Sequence, residues 1–179
     1  MRIALVSDTH IPASLAQLPK DLLARLDLES VDTILHAGDI VRLEVIEALE
    51  RIAPTTAVAG NMDPPELAAV LPDHAILHLG GRTIGLKHGH QRHALQDRYI
   101  GLGYDAPEME LFYQAMAAQL PDAEIIVFGH FHAPVVKRWN DRLFVNPGSV
   151  APTHGRSTFA LLDLGAEVDV RIVELNLSK

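Results

Sequence analysis

Five short apolar runs each end in a small polar cluster, and this repeated arrangement constrains the fold of the chain more than any other feature. The runs are 3–6, 31–35, 56–59, 83–87 and 124–128, and they have the length and the Val, Ile and Leu content of buried strands. The clusters that follow them are Asp8-Thr9-His10, Gly38-Asp39, Gly60-Asn61, His88-Gly89-His90 and Gly129-His130-Phe131-His132. Polar side chains in these places predict a binding site outside the ends of the strands.

Segments of helical periodicity separate the first three strands. Leucines recur through 15–28, and apolar side chains lie on roughly one face of 43–52. Strands that are joined through helices run parallel, so their carboxyl ends are expected to share one edge. A third helix is predicted at 108–120. The segment 91–107 lacks clear periodicity and is predicted to be a long loop at the edge of the site.

The last third of the chain has the pattern of antiparallel strands. Runs at 135–139 and 143–145 flank a turn, and so do runs at 158–164 and 168–175. Together with the earlier elements they predict an α/β fold in which two mixed sheets pack face to face as a sandwich, with helices outside.

Composition favours one compact globular domain over residues 1–179. Hydrophobic residues make up 48% of the 179 residues, and the mean hydropathy is +0.13. No apolar stretch approaches the ~18 residues of a membrane span, and no signal-peptide pattern precedes the first strand. We therefore predict a cytoplasmic protein without membrane contact.

Cysteine content and charge limit the chemistry. The chain has no cysteine, which excludes disulfides, thiolate ligands and a Cys nucleophile, so any metal must be held by His, Asp and Asn. A net charge of −8, from 15 basic and 23 acidic residues, disfavours an extended nucleic-acid surface. Two bound divalent cations would still attract a small anion locally.

Spacing within the clusters predicts that their side chains converge on metal ions. Asp8 and His10 are two residues apart, as are His130 and His132, and in an extended segment such residues project to the same side. The Asp39 carboxylate has two oxygens and can bridge two cations about 4 Å apart.

The charge of such a centre matches a phosphodiester. With Asn61 as a neutral oxygen ligand, two divalent cations, two carboxylates and one bridging hydroxide leave a charge of about +1, which a phosphodiester monoanion neutralises. The cations would activate the bridging hydroxide for in-line attack on phosphorus and stabilise charge on the phosphoryl oxygens. The pattern therefore predicts a two-metal hydrolase that needs no protein nucleophile.

The ordered pieces SDTHIP, HAGD, AGNMD, KHGH, FGHFH and NPGS resemble the calcineurin-like metallophosphoesterases, in particular the small bacterial and archaeal phosphodiesterases. The resemblance runs from Arg2 to about Ser149 and is specific because the motifs occur in the expected order. It implies that the chain holds two metals, with Asp39 as the bridge. The implied ligands are Asp8, His10, Asp39 and His132 for one metal and Asp39, Asn61, His88 and His130 for the other.

The resemblance implies hydrolysis of a small phosphodiester with two divalent ions, of which Mn²⁺ is preferred and Fe, Zn, Ni and Co are alternatives. Several imidazoles and no thiolate suit these ions better than Mg²⁺. The expected catalytic residues are Asp39, Asn61, His90 and Asp63, the last orienting a ligand. The residues alone do not decide between His88 and His90 as ligand, and the family position favours His88.

One departure from the larger members of the superfamily affects the expected mechanism. Many of them carry His directly after the GN asparagine, where it is held to protonate the leaving group, and this chain has Met62. The chain is therefore expected to favour good leaving groups, or to use His90 or a metal-bound water as the proton donor.

Two other functions remain open at this stage. One is a phosphomonoesterase or nucleotide phosphatase on the same site, and the other is an interaction scaffold like the retromer subunit of the same fold family. Segment 146–149 is either a simple turn or a loop that lines the cleft. Arg92 and Arg98 are expected to be solvated, and a homo-oligomer is left open. No role is predicted for the remaining histidines, His36, His74, His78, His93 and His154.

Overall fold

The computed structural model describes residues 1–177 and contains two mixed β-sheets of five strands each. The first sheet has the order β10-β9-β1-β2-β3. Its strands are β1 (Arg2–Val6), β2 (Thr33–His36), β3 (Thr55–Ala57), β9 (Thr158–Leu164) and β10 (Val168–Glu174). Strands β1, β2 and β3 are parallel, whereas β9 runs antiparallel to both β1 and β10.

The second sheet has the order β4-β5-β6-β8-β7. Its strands are β4 (His74–Leu79), β5 (Arg82–Lys87), β6 (Ile125–Val127), β7 (Val135–Trp139) and β8 (Arg142–Asn146). The three central strands β5, β6 and β8 are parallel, and β4 and β7 are antiparallel edge strands.

Helices cover the outer faces of the sheets. The longer ones are α1 (Lys20–Leu28), α2 (Leu43–Glu50) and α5 (Met109–Gln119), and the single-turn helices are α3 (Pro65–Ala68) and α4 (His93–Gln96). The buried side chains of α1 and α2 share an apolar cluster with the outer face of the first sheet, and those of α5 share one with the second sheet. Between the sheets lies a third cluster, which includes Leu5, Leu35, Leu86 and Val127. The predicted sandwich with outer helices is thus confirmed. No helix within residues 1–177 is long and apolar enough to cross a membrane.

The structure corrects several predicted elements. Helix α1 begins at Lys20 rather than at residue 15, because Pro19 is the extended residue before the helix and a proline ring is not tolerated inside one. Strand β4 was missed, since it is an edge strand in which exposed residues, among them His74 and His78, alternate with half-buried ones. The predicted loop 91–107 contains α4. The remaining predicted bounds agree with the observed ones to within two residues.

The five predicted strand ends do not belong to one sheet. Strands β1, β2 and β3 lie in the first sheet, and β5 and β6 lie in the second. Their carboxyl ends still meet, as shown by the 3.3 Å between Oδ2 of Asp39 and Nε2 of His88. The polar clusters therefore gather at one end of the sandwich rather than at the edge of one sheet.

Candidate metal centre

The residues at this end of the sandwich have an unusual backbone. Asp8, His10, Asp39, His130 and His132 all have φ between 46° and 72°. Such left-handed conformations are uncommon for residues other than glycine, cost about 1–3 kcal/mol each, and cluster at functional sites. The expected extended geometry of the i, i+2 pairs is therefore wrong. Tight turns direct both side chains of each pair inward instead.

Hydrogen bonds between loops hold these turns in place. The amide of Asp8 donates to the carbonyl of Gly38 (3.0 Å), and the amide of His10 donates to the carbonyl of Asp39 (3.1 Å). The amide of His130 donates to Oδ2 of Asp8 (3.1 Å). The loops that follow β1, β2 and β6 are thus tied to one another by hydrogen bonds that backbone amides donate.

A first group of side chains has closely spaced donor atoms. Asp8, His10, Asp39 and His132 offer ligand atoms that all lie within 4.8 Å of one another. Nε2 of His10 is 3.1 Å from Nε2 of His132 and 3.7 Å from Oδ2 of Asp39. Nε2 of His132 is 3.1 Å from Oδ1 of Asp8.

This first group fits a divalent cation. Oδ1 of Asp8 is buried and 3.1 Å from Nε2 of His132, but no well-aligned hydrogen bond reaches it from residues 1–177, which is costly for a carboxylate oxygen. The facing nitrogens of His10 and His132 cannot both present lone pairs without a cation or a proton between them. Imidazole nitrogens with carboxylate oxygens are a donor set that suits Zn, Mn and Fe.

A second group lies beside the first. Nε2 of His88 is 3.3 Å from Oδ2 of Asp39 and 3.1 Å from Oδ1 of Asn61. Nδ1 of His88 is 2.7 Å from the carbonyl oxygen of Ala37, which only accepts. In the neutral ring, Nδ1 therefore carries the proton and the lone pair of Nε2 faces two oxygens, an arrangement that fits a cation. The His130 ring centroid is 5.2 Å from that of His88.

Asp39 is the side chain that the two groups share. Its Oδ2 lies near His10 on one side and near His88 on the other. Its Oδ1 accepts a hydrogen bond from the amide of Met62 at 2.8 Å. A Cβ at Gly60 would lie 2.1 Å from that oxygen, so only glycine leaves room for the carboxylate.

Asp63 supports the loops from beneath. Its Oδ1 accepts hydrogen bonds from the amides of Ile40 (2.7 Å) and Val41 (2.6 Å), and its Oδ2 accepts from the amide of Gly60 (2.8 Å). Asp63 was expected to orient a ligand. It does so through hydrogen bonds to the backbone next to Asp39 and Asn61, and it does not contact a ligand side chain.

His90 and Met62 lie at the margin of the centre. The His90 ring centroid is 5.5 Å from that of His88 and 6.3 Å from that of His130, so His90 is beside the second group rather than within it. Burial and the positive charge of His88 lower the pKa of His90, which favours its neutral form. The side chain of Met62 is 58% exposed and has no proton to donate.

The carboxylates are ionised without any metal. Burial alone would raise the pKa of Asp8, but the contact with His132 and the charges of His88 and His132 outweigh it, so the pKa lies below its usual value. Burial also opposes ionisation of Asp39, yet contact with His88 and the Met62 amide lower its pKa to about 2. Two buried anionic groups therefore face the centre at neutral pH.

The histidines divide into two kinds. Contact with Asp8 raises the pKa of His132. Burial would lower the pKa of His88, but Asp39 and Asp8 raise it. Burial and the nearby charge of His88 lower the pKa of His130 to about 4. The buried carboxylates thus favour the protonated forms of His88 and His132, whereas burial favours the neutral form of His130.

The sequence did not reveal several residues around the centre. Oε1 of Gln96 is 3.0 Å from Nε2 of His130, and Oγ1 of Thr153 is 3.1 Å from Nδ1 of His132. Both come from irregular segments or a single-turn helix, where periodicity carries no signal. His36 also has a place here, since its Nε2 is 3.3 Å from Oγ1 of Thr9 beneath the first loop.

Segment 146–149 and the remaining charged side chains differ in their contacts with the centre. In segment 146–149, the Asn146 amide donates to the carbonyl of Gly129 (2.8 Å), and the Ser149 hydroxyl donates to the carbonyl of Asp8 (3.0 Å). The segment thus supports the site from behind. Arg92 and Arg98, which were expected to be solvated, are exposed. Four of the histidines for which no role is predicted are exposed as well: His74, His78, His93 and His154.

Comparisons with known proteins agree with this arrangement. The family model described as calcineurin-like phosphoesterase superfamily domain matches residues 1–167. The chain is 31% identical to a probable metallophosphoesterase of Methanothermobacter thermautotrophicus, over 97% of this chain and 92% of that protein. It is 26% identical to a phosphodiesterase of Methanocaldococcus jannaschii, over 91% of this chain and 93% of that one.

The fold is also similar to that of wild-type Vps29 from Entamoeba histolytica in complex with zinc. The TM-score is 0.71 at 25% identity, and the match covers 98% of this chain and 100% of the other. Fold, site geometry and sequence together support a metal-dependent phosphoric ester hydrolase. The chain belongs to the calcineurin-like phosphoesterase superfamily.

Proposed function

We propose that this protein is a dinuclear metal-dependent phosphodiesterase that acts on a small phosphodiester. The observation that carries the proposal is the position of Asp39, whose carboxylate lies between the His10 and His88 side chains of two adjoining groups. The first metal would be held by Asp8, His10, Asp39 and His132. The second would be held by Asp39, Asn61, His88 and His130.

The chemistry divides between the metals and the chain. When bound, divalent cations would supply Lewis acidity that activates water and stabilises negative charge on phosphoryl oxygens. The chain's part is to hold two buried carboxylates and four imidazoles in fixed positions, through turns that Asp63 and the loop hydrogen bonds support. Mn²⁺ is the proposed metal, with Fe, Zn, Ni and Co as alternatives.

Met62 bears on the choice of substrate. Met62 lies at the rim of the centre, and its exposed thioether has no proton to donate. A substrate with a poor leaving group would need a proton donor at this place. The proposed substrates are therefore esters whose leaving group departs with little protonation. His90, beside the second group, is the proposed source of a proton for other esters.

Hydrolysis by purified protein with Mn²⁺ tests the proposal. We expect bis(p-nitrophenyl) phosphate to be cleaved faster than p-nitrophenyl phosphate, because a diester monoanion matches the charge of the centre. Much faster cleavage of the monoester would assign the protein as a phosphomonoesterase instead.

Asp39→Asn tests the shared carboxylate. Because the variant keeps the size of the side chain but removes its charge, we expect bound metal to fall from about two equivalents and turnover to drop at least ~100-fold. Metal analysis and initial rates measure both. Glu44→Gln, at the exposed start of α2, is the matched control and should behave like the wild type. Unchanged turnover in Asp39→Asn would contradict the shared role.

An interaction scaffold is the second candidate, and the similarity to Vps29 favours it. A scaffold predicts negligible hydrolysis of either ester with every metal tried, whereas the enzyme predicts hydrolysis that a chelator abolishes. The same purified protein therefore decides between the two.

A further inference from the structure

The side chain of Gln96, in the connection between β5 and β6, reaches the candidate metal centre. Gln96 is the last residue of the single-turn helix α4, and its Oε1 is 3.0 Å from Nε2 of His130. The same oxygen accepts a hydrogen bond from the backbone amide of Gln91 at 3.1 Å. One carboxamide oxygen thus contacts both the start of its own loop and a candidate metal ligand.

These two contacts determine which nitrogen of His130 carries the proton. The amide N–H of Gln91 only donates, so the atom of Gln96 that faces it must be the carbonyl oxygen. A carbonyl oxygen only accepts, so Nε2 of His130 must donate to it. In the neutral ring, Nδ1 is then the nitrogen with a lone pair, and it is the atom through which His130 can bind a metal.

Gln96 is itself held in place. The side chain of Gln91 accepts a hydrogen bond from Nε2 of Gln119 on α5 (3.0 Å). Leu95 and Tyr99, on either side of Gln96, pack in the apolar cluster beneath α5, and the Tyr99 ring stacks on Phe131 at a centroid distance of 6.1 Å. The segment that carries Gln96 is therefore anchored to α5 and to the neighbour of His130.

We propose that Gln96 is a positioning residue, which holds His130 in the Nε2–H tautomer so that Nδ1 is free for the second metal. The inference rests on the proposed two-metal function. Hydrogen bonds of this kind, from the second ring nitrogen of a ligating histidine, orient the ring and are worth about 10–100-fold in metal affinity or activity.

The test uses two variants of Gln96. Gln96→Leu removes the hydrogen-bond acceptor but has a side chain of similar volume, and Gln96→Glu keeps an acceptor oxygen. Gln114→Leu is the matched control, because Gln114 makes its hydrogen bond to Glu110 on the exposed face of α5. The first readout is the tautomer of His130 in the metal-free protein, from imidazole ¹⁵N chemical shifts. The second is calorimetric titration with Mn²⁺, and the third is thermal unfolding of the metal-free variants.

We expect the wild type and Gln114→Leu to show the Nε2–H tautomer of His130 and two binding events. Gln96→Leu should lose the tautomer preference and bind the second Mn²⁺ about 10–100-fold more weakly, while the first event is unchanged. Gln96→Glu should restore both. An unaltered tautomer, or equal weakening of both events together with a lower unfolding temperature, would overturn the proposal. Hydrolysis by the wild type is assayed separately, so two binding events without turnover would reject the phosphodiesterase and leave the role of Gln96 standing.

Discussion

At the scale of single residues, the centre depends on strained backbone and on one position without a side chain. Five candidate ligands are held at positive φ. Asp and His adopt this conformation more often than most residues but far less readily than glycine, so their presence in the sequence does not predict it. Their identity could be predicted because they follow strands in a specific order. Their conformation could not, since it is imposed by hydrogen bonds between loops far apart in the chain.

Gly60→Ala is the residue-scale prediction. The added Cβ would lie 2.1 Å from Oδ1 and 2.3 Å from the amide nitrogen of Asp39, both too close, so the carboxylate must move. We expect metal binding and turnover to fall at least ~10-fold, because a misplaced catalytic group costs on that order or more.

Gly103→Ala is the control for this substitution. Nothing lies within 4 Å of a Cβ at Gly103, and its φ is not in the left-handed region. It should retain the metal content and rate of the wild type. A Gly60→Ala protein with normal metal content would show that the position of Asp39 tolerates displacement.

At the scale of elements, packing places the segment that carries His130 and His132. Phe131, between them, contacts Phe112 of α5 at a ring-centroid distance of 5.0 Å and Tyr104 at 5.6 Å. The segment 91–107 was expected to be a loop at the edge of the site. It contains α4 and brings Gln96 to the centre, because its side chains pack against α5 rather than along a periodic face of their own.

Phe131→Ala tests this packing. Loss of a half-buried aromatic side chain should lower the free energy of unfolding by about 1–3 kcal/mol. It should also weaken Mn²⁺ binding, because the turn between the two histidines loses its anchor. Denaturant unfolding of the metal-free protein and metal titration measure the two effects.

Val136→Ala, on the exposed side of β7, is the control for truncation of an apolar side chain away from the centre. It should bind Mn²⁺ as the wild type does. If Phe131→Ala lost stability but kept full affinity for both metals, the packing of Phe131 would support the fold alone.

At the scale of the whole molecule, two sheets rather than one create the centre. Parallel strands in each sheet end at the same end of the sandwich, so Asp39 after β2 meets His88 after β5. Hydrophobic periodicity was sufficient to predict every described strand except the edge strand β4, the three longer helices and the gathering of polar clusters. It could not show which strands share a sheet, because that depends on pairings such as β1 with β9, between residues more than 150 positions apart.

The most direct test of the account is a crystal structure with Mn²⁺, in which anomalous scattering locates the metals. The account predicts two peaks about 4 Å apart, with the Asp39 carboxylate contacting both, His10 and His132 on one side, and His88 and Asn61 on the other. A single peak, or two peaks of which Asp39 contacts only one, would contradict the shared carboxylate and the two-metal phosphodiesterase with it.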